Sequence, residues 1–458
     1  MTLTSPQQLA EYALDRSRSS DCVAIVEKTS GVNLRWANSS LTTNGAVSAQ
    51  QATVIAIDGP RSVSVSGPAS STTDIDALMA QAEAGLLKAP IAEDSAPLIV
   101  GDSDPDWTDP ADETAPGVFS GVIDALANSF NPADHLQFGF VSHDASTTYL
   151  ASSTGLRRRH AQTTGHYGVT ARTPDHSASA WIGGATPDFR IDFERPLSDL
   201  RTRLGWSARR IALPAGHYDT VLPPSAVADL MIDAYWSASA RQALDGQTVY
   251  ATPDGAIRWD EQLARPGVHL FSDPTGGAYP TLRANPFVVE SRSSETGSVY
   301  DNGLGLARTD WLRDGRLDSL IQTQHTATLT DRSPTPGIDN LILEVDAASG
   351  TFDDMVASVD DGLLLTCLWY IREVDPQTLL LTGVTRDGVY KVEGGEIVGV
   401  VNNFRFNESP LDLLKRFSAA STTTPAFGRE WGEDYFSRTA MPALRIPDFN
   451  MSSVSQAL

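Results

Sequence analysis

Residues 214–246, PAGHYDTVLPPSAVADLMIDAYWSASARQALDG, decide how the chain is read. Residues 218–222 read as a short strand that breaks at Pro223-Pro224. Ser225 then stands where a helix would start. Its side-chain oxygen can accept one of the backbone N–H groups that a first turn leaves unpaired. Val227, Leu230, Met231, Ala234 and Ala238 recur at helical spacing, so a helix over 225–244 is expected to bury one face, with Tyr235 at its edge. Spacing alone predicts a buried amphipathic helix in a soluble protein.

Upstream, Ser5-Pro6-Gln7-Gln8 has the order of a capped helix start: serine at the N-cap, proline next, glutamine in the capping-box place. Strands are expected at 22–26, 32–36 and 52–57, followed by a helix over 74–87 that presents Ile75, Leu78, Met79 and Ala82. The acidic loop 101–107 lacks the glycine and terminal glutamate of a calcium-binding EF-hand loop, and its carboxylates read as solvated turn residues. After a helix near 118–127, residues 136–184 read as successive strands. Arg157, Arg158, Arg159 and His160 are the one basic run of the chain. The run reads either as a solvated strand edge or as a docking point for an acidic partner or a substrate carboxylate.

Downstream, strands are expected at 297–307, 317–330, 341–345, 362–373, 379–384, 388–392 and 396–404, at the spacing of an antiparallel sandwich or barrel-like sheet. Thr351 with Asp354 marks a helix start among them. The expected fold class is therefore α+β. An α/β N-terminal domain (1–200) precedes a β-rich C-terminal domain (201–458) that carries the central helix.

The chain has 458 residues and a formal charge of −23, which argues against a nucleic-acid groove because phosphate binding wants clustered Lys and Arg. No apolar run reaches membrane length, and the start lacks a basic-then-apolar signal segment. Cys22 and Cys367 do not make a disulfide framework, so a reducing cytoplasm is the expected location. None of the eight histidines stands in a metal-spaced cluster. His217 precedes the central strand and reads as a structural residue or as one facing a pocket. Cys367 lies in an apolar strand, where a thiol is expected to be inert.

Set against known families, the strand, proline turn and helix of 214–246 resemble the centre of the TldD/PmbA family of peptidase subunits. The resemblance extends through Asp301-Asn302-Gly303, Asn340-Leu341, Gly362-Leu363-Leu364, Val374-Asp375-Pro376, Thr382-Gly383-Val384, Gly388-Val389-Tyr390 and Gly395-Glu396-Ile397-Val398. In the family's catalytic subunit this helix carries HExxxH, two zinc-binding histidines and a general-base glutamate. Here that motif falls on Ile232-Asp233-Ala234-Tyr235-Trp236-Ser237. Both histidines are lost, and an aliphatic side chain cannot replace a zinc donor. The family's third ligand, a cysteine near the C-terminus, also has no counterpart, because no cysteine follows Cys367. Positions five apart lie about 140° from each other on a regular helix, so a chelating pair needs a distortion between its members. Trp236 is expected to keep the helix regular.

The resemblance therefore implies a TldE-like subunit without zinc of its own and with no catalytic residues. It would pair with a TldD-like partner that carries HExxxH and zinc, and together they would hydrolyse unfolded peptides. Trp236, His217 and Arg157–Arg159 would be candidates for the cleft or the docking surface. The alternatives are a stand-alone hydrolase using Asp233 or Cys367, and a peptide-binding protein with no peptidase role.

Overall fold

The computed structural model describes residues 4–130, 134–433 and 435–455. Among these residues three open sheets and the helices packed on them make a mixed α+β fold, and no sheet closes into a barrel. The first sheet runs Arg61–Pro68, Ser40–Asp58, Asp21–Ala37, Leu136–Ser152, Arg157–Arg172, Ser179–Ala185, with every neighbour antiparallel. The strands expected at 22–26 and 32–36 are one strand of 17 residues. It turns into the next strand through Asn38 and Ser39, both at positive φ, as a two-residue hairpin loop requires. The Ser5–Gln8 capping box forms as read from the sequence. Helix Thr72–Leu86 buries Ile75, Leu78, Met79 and Ala82 against Ala24, Val26 and Val54.

The second sheet runs Arg316–Leu317, Thr309–Arg313, Val268–Ser272, Leu341–Val345, Thr439–Met441, Thr424–Ala426. The third has ten strands. Near its middle the central strand Gly216–Leu222 pairs in parallel with Asp361–Leu365 and antiparallel with Leu444–Val454. The last of these is not legible in the sequence. Its register shifts between Ile446 and Phe449, and Pro447-Asp448 at that bulge interrupts the alternation a strand would show.

Several expectations are corrected. Residues 297–307 form no strand: Val299–Asp301 is a turn of 3₁₀-helix. The stretch 317–330 contributes only Leu317 to a strand and ends as the helix Gln324–Thr330. Its many threonines suggest β structure, but Thr323 caps the helix by accepting the N–H of Thr326. The strand expected at 362–373 breaks at Thr366-Cys367, and the one at 396–404 breaks at Asn402-Asn403. No helix among the described residues is long and apolar enough to cross a membrane.

The central helix also differs from its expectation. It spans Pro224–Trp236, and its N-cap is Pro223, with no side-chain cap from Ser225. Pro224 takes the first helical position, where a missing N–H costs nothing. Nor does the helix reach 244. Ile321 donates its N–H to the carbonyl of Ala238 and accepts from Ala240, which pulls the chain out of helix. Ser239 then caps a second helix, Ala240–Leu244. Trp236 therefore does not carry a regular helix onward, and Ser237 is its C-cap. Ala226–Ile232 are buried without interruption, so the first half is covered all round rather than on one face.

Candidate functional site

One polar side chain lies in that fully covered half. Asp229 is 0% exposed among Val227, Leu230 and Met231. Its carboxylate accepts three backbone N–H groups from one loop: Arg429 at 2.8 Å, Glu430 at 3.0 Å and Trp431 at 3.2 Å. A Cβ on Gly428 would run into Asp229 Oδ1, so this close approach requires glycine there. Burial pushes the Asp229 pKa well up, and the three donated N–H groups pull against it.

The pinned loop builds the surroundings of the helix end. Trp431 donates its indole N–H to Asp233 Oδ2 at 3.1 Å and packs edge-on against Trp236 at 5.0 Å between ring centroids. Tyr435 and Phe436 complete the aromatic group around Trp236. Glu430 turns the other way. Its carboxylate accepts the N–H groups of Tyr370 and Ile371 on the edge strand Leu368–Asp375, at 2.8 and 3.2 Å.

Beside this cluster opens a groove of about 310 Å³, lined by Tyr235, Trp236, Phe287, Glu290, Asp301 and Asp339 among others. A smaller hollow shares Asp339, Tyr435 and Phe436 and continues to Thr164 and Arg438 at the first sheet. Asp301 accepts hydrogen bonds from the backbone and side-chain N–H groups of Gln324. Glu290 is pushed up to about 7 by burial and by the carboxylates of Asp339 and Asp301.

Residues 215–453 match the PmbA/TldA metallopeptidase C-terminal domain. The chain belongs to the PmbA/TldD family. Its fold is similar over nearly the whole length to TldE from Thermococcus kodakarensis, with a TM-score of 0.77, 13% identity, and coverage of 97% of this chain and 99% of that one. It also resembles a protein described as a putative modulator of DNA gyrase from Bacteroides thetaiotaomicron (TM-score 0.73, 12% identity, 98% of both chains). A third similar structure, from Thermotoga maritima and described in the same terms, has a TM-score of 0.72 at 15% identity, covering 97% of this chain and 98% of that one. No curated protein matches the sequence.

In this PmbA/TldD-family chain the residues that the sequence comparison sets against HExxxH do not make a zinc site. Ile232 is 0% exposed and belongs to the apolar core. Asp233 is half-buried with its carboxylate on the Trp431 indole. Ser237 offers a hydroxyl at a helix C-cap. Among the described residues no three His, Cys, Asp or Glu side chains group so as to hold a metal ion. That donor set does not fit zinc.

Of the other candidate residues, Trp236 alone lines the groove, with 38% of its surface exposed. His217 is exposed on the central strand opposite Asn450, its ring against the Asp448 carbonyl at 3.0 Å, and does not line the groove. The arginine run meets carboxylates within the chain. Arg157 makes a forked pair with Glu11 (2.6 Å), Arg158 pairs with Asp104 (2.7 Å), and Arg159 with Asp106 (3.1 Å). The acidic loop is thus not left to solvent; it is stapled to strand Arg157–Arg172. Cys367 is buried, and burial raises its pKa well above the ordinary thiol value.

The sequence reading missed Asp229, Glu290, Asp339 and the 427–436 loop. One signal was present: an aspartate inside the apolar run 226–232 must find donors if it is buried.

Asp233 yields a pH prediction. Burial first, then the carboxylates of Glu373 and Glu430, raise its pKa from 3.8 to about 7, against the Trp431 hydrogen bond. The fold thus favours the protonated carboxyl. Its contribution is fully present below the unfolded value and is lost as pH rises towards the folded one. Asp233→Asn keeps an oxygen for Trp431 and carries no charge. Relative to the parent, it is expected to gain roughly 2 kcal/mol between pH 5 and pH 8, a figure reduced for residual solvent contact. Urea unfolding at the two pH values measures this, and equal differences at both would refute the assignment.

Proposed function

We propose that this chain is the zinc-free, TldE-like subunit of a heteromeric TldD/TldE-type metallopeptidase that acts on unfolded peptides. The reading rests on the central helix, where a core isoleucine, an indole-bonded aspartate and a capping serine occupy the family's metal-binding positions. Zinc, general base and zinc-bound water belong to the partner that carries HExxxH. This subunit contributes groove walls and stability. Trp236 and Tyr435 stand exposed at the groove and offer apolar contact to an extended chain. The work takes place in the cytoplasm, and neither nucleic acid nor membrane is a partner.

A thiol hydrolase centred on Cys367 is disfavoured by the burial of its sulfur, which keeps it neutral and away from substrate. Asp233 has an indole N–H as its hydrogen-bond partner, where a nucleophile or a general-base histidine would be needed for chemistry of its own.

Elemental analysis tests the zinc assignment directly. The purified chain is expected to hold far less than one equivalent of zinc after dialysis. One tightly bound zinc per chain would overturn the reading.

A further inference from the structure

Away from the groove, and sharing none of its residues, a cavity of about 400 Å³ lies where the hairpin 172–179 of the first sheet meets the end of the ten-stranded sheet. That is the size of a small-molecule site. Ile211, Val389, Val400 and Val401 supply the apolar part of its lining. Arg172 and Arg210 line the cavity as well, beside His176 and several Ser and Asn side chains.

Among the described residues neither arginine meets a carboxylate there. With 57 acidic residues against 34 basic ones, carboxylates are plentiful, and the run at Arg157–Arg159 is fully paired. Arg172 and Arg210 form no salt bridge among the described residues. Arg172 lies over the Phe138 ring at 5.7 Å, and Arg210 donates to the carbonyl of Ser177. Among the described residues the one carboxylate lining the cavity, Asp387, is engaged by the Ser179 hydroxyl and by Arg386. Among the described residues, Arg172 and Arg210 thus line a partly apolar cavity without a carboxylate partner.

We propose that this cavity is a second ligand site, one that takes a small carboxylate with an apolar body. The guanidinium groups would fork onto the carboxylate, as this planar donor geometry favours, and the valines would cover the apolar part. An inorganic anion would leave the valines uncovered, and a neutral apolar molecule would leave the arginines unmatched. Free amphipathic acids and the C-terminal ends of short apolar peptides share this chemistry.

The test is a calorimetric titration of the whole chain with N-acetyl-leucine, its uncharged amide, acetate, and a tripeptide acid ending in leucine. The leucine acids are expected to bind saturably, with the amide and acetate at least about tenfold weaker. Arg172→Met should weaken the acids about tenfold, and added salt should weaken them further. Arg210 also holds the hairpin, so Arg210→Met serves only as a second check. The acid–amide comparison uses the unaltered chain and needs no folding control. A tripeptide that binds tighter than acetyl-leucine identifies peptide ends as the ligand, and the reverse order identifies free acids. Equal binding of acid and amide, no saturable acid binding, or binding indifferent to both variants would overturn the proposal.

Discussion

Purified alone, this chain is expected to leave unfolded peptides intact. Mixed with a subunit from the same genome that carries HExxxH, it is expected to give hydrolysis above that of either subunit alone. The effect should be all-or-none on this chain's side, because the missing parts are the zinc donors themselves. Carbon at Ile232 and a hydroxyl at Ser237 cannot position a metal-bound water, and without it the largest contribution to such catalysis is absent. The measurement is cleavage of an unfolded peptide by each subunit and by the mixture. Activity of the isolated chain that disappears with Asp233→Asn or Cys367→Ser would establish the stand-alone hydrolase. A mixture no faster than the partner alone would leave a peptide-binding role without peptidase work. Asp233→Asn in the mixture separates a structural aspartate from a functional one, since full activity there shows the carboxylate to be dispensable.

Asp229→Ala is expected to be strongly destabilising. It removes the acceptor for three backbone N–H groups of the 428–431 loop and leaves them half-buried without that partner. Each unsatisfied group costs about 1–3 kcal/mol before relaxation. Loop movement will recover part of that, and a net loss of roughly 3–4 kcal/mol is expected, in the range seen when one side of a buried polar pair is removed. The loop carries Trp431 and leads to Tyr435, so the groove should loosen with it. Asp229→Asn should fall between the parent and Asp229→Ala, because its amide oxygen can still accept while its NH₂ faces donors. Denaturant unfolding measures the loss, and tryptophan fluorescence reports on the Trp236–Trp431 contact. A loss below about 1 kcal/mol for Asp229→Ala would mean that the loop is held by other contacts.

Local chemistry was readable from the residues alone. The Ser5–Gln8 and Thr351–Asp354 capping boxes formed where the sequence placed them, since both partners sit within one turn. The alternating segments of the first half became its antiparallel sheet, and the loss of imidazole at 232 and 237 was a matter of residue type. Tertiary structure decided what depends on distant partners. Asp229 meets Arg429 across 200 positions, and Arg157 meets Glu11 across 146. No periodicity marks such pairs. The central helix stops at Trp236 because Ile321 captures the next backbone groups, and 324–330 is helical because its cap and packing outweigh the β preference of threonine. The sequence alone determined which side chains stand on the central helix. Only the tertiary structure decided where their hydrogen-bond donors come from, because a buried polar group is satisfied by whichever segment the fold brings to it, however far along the chain that segment lies.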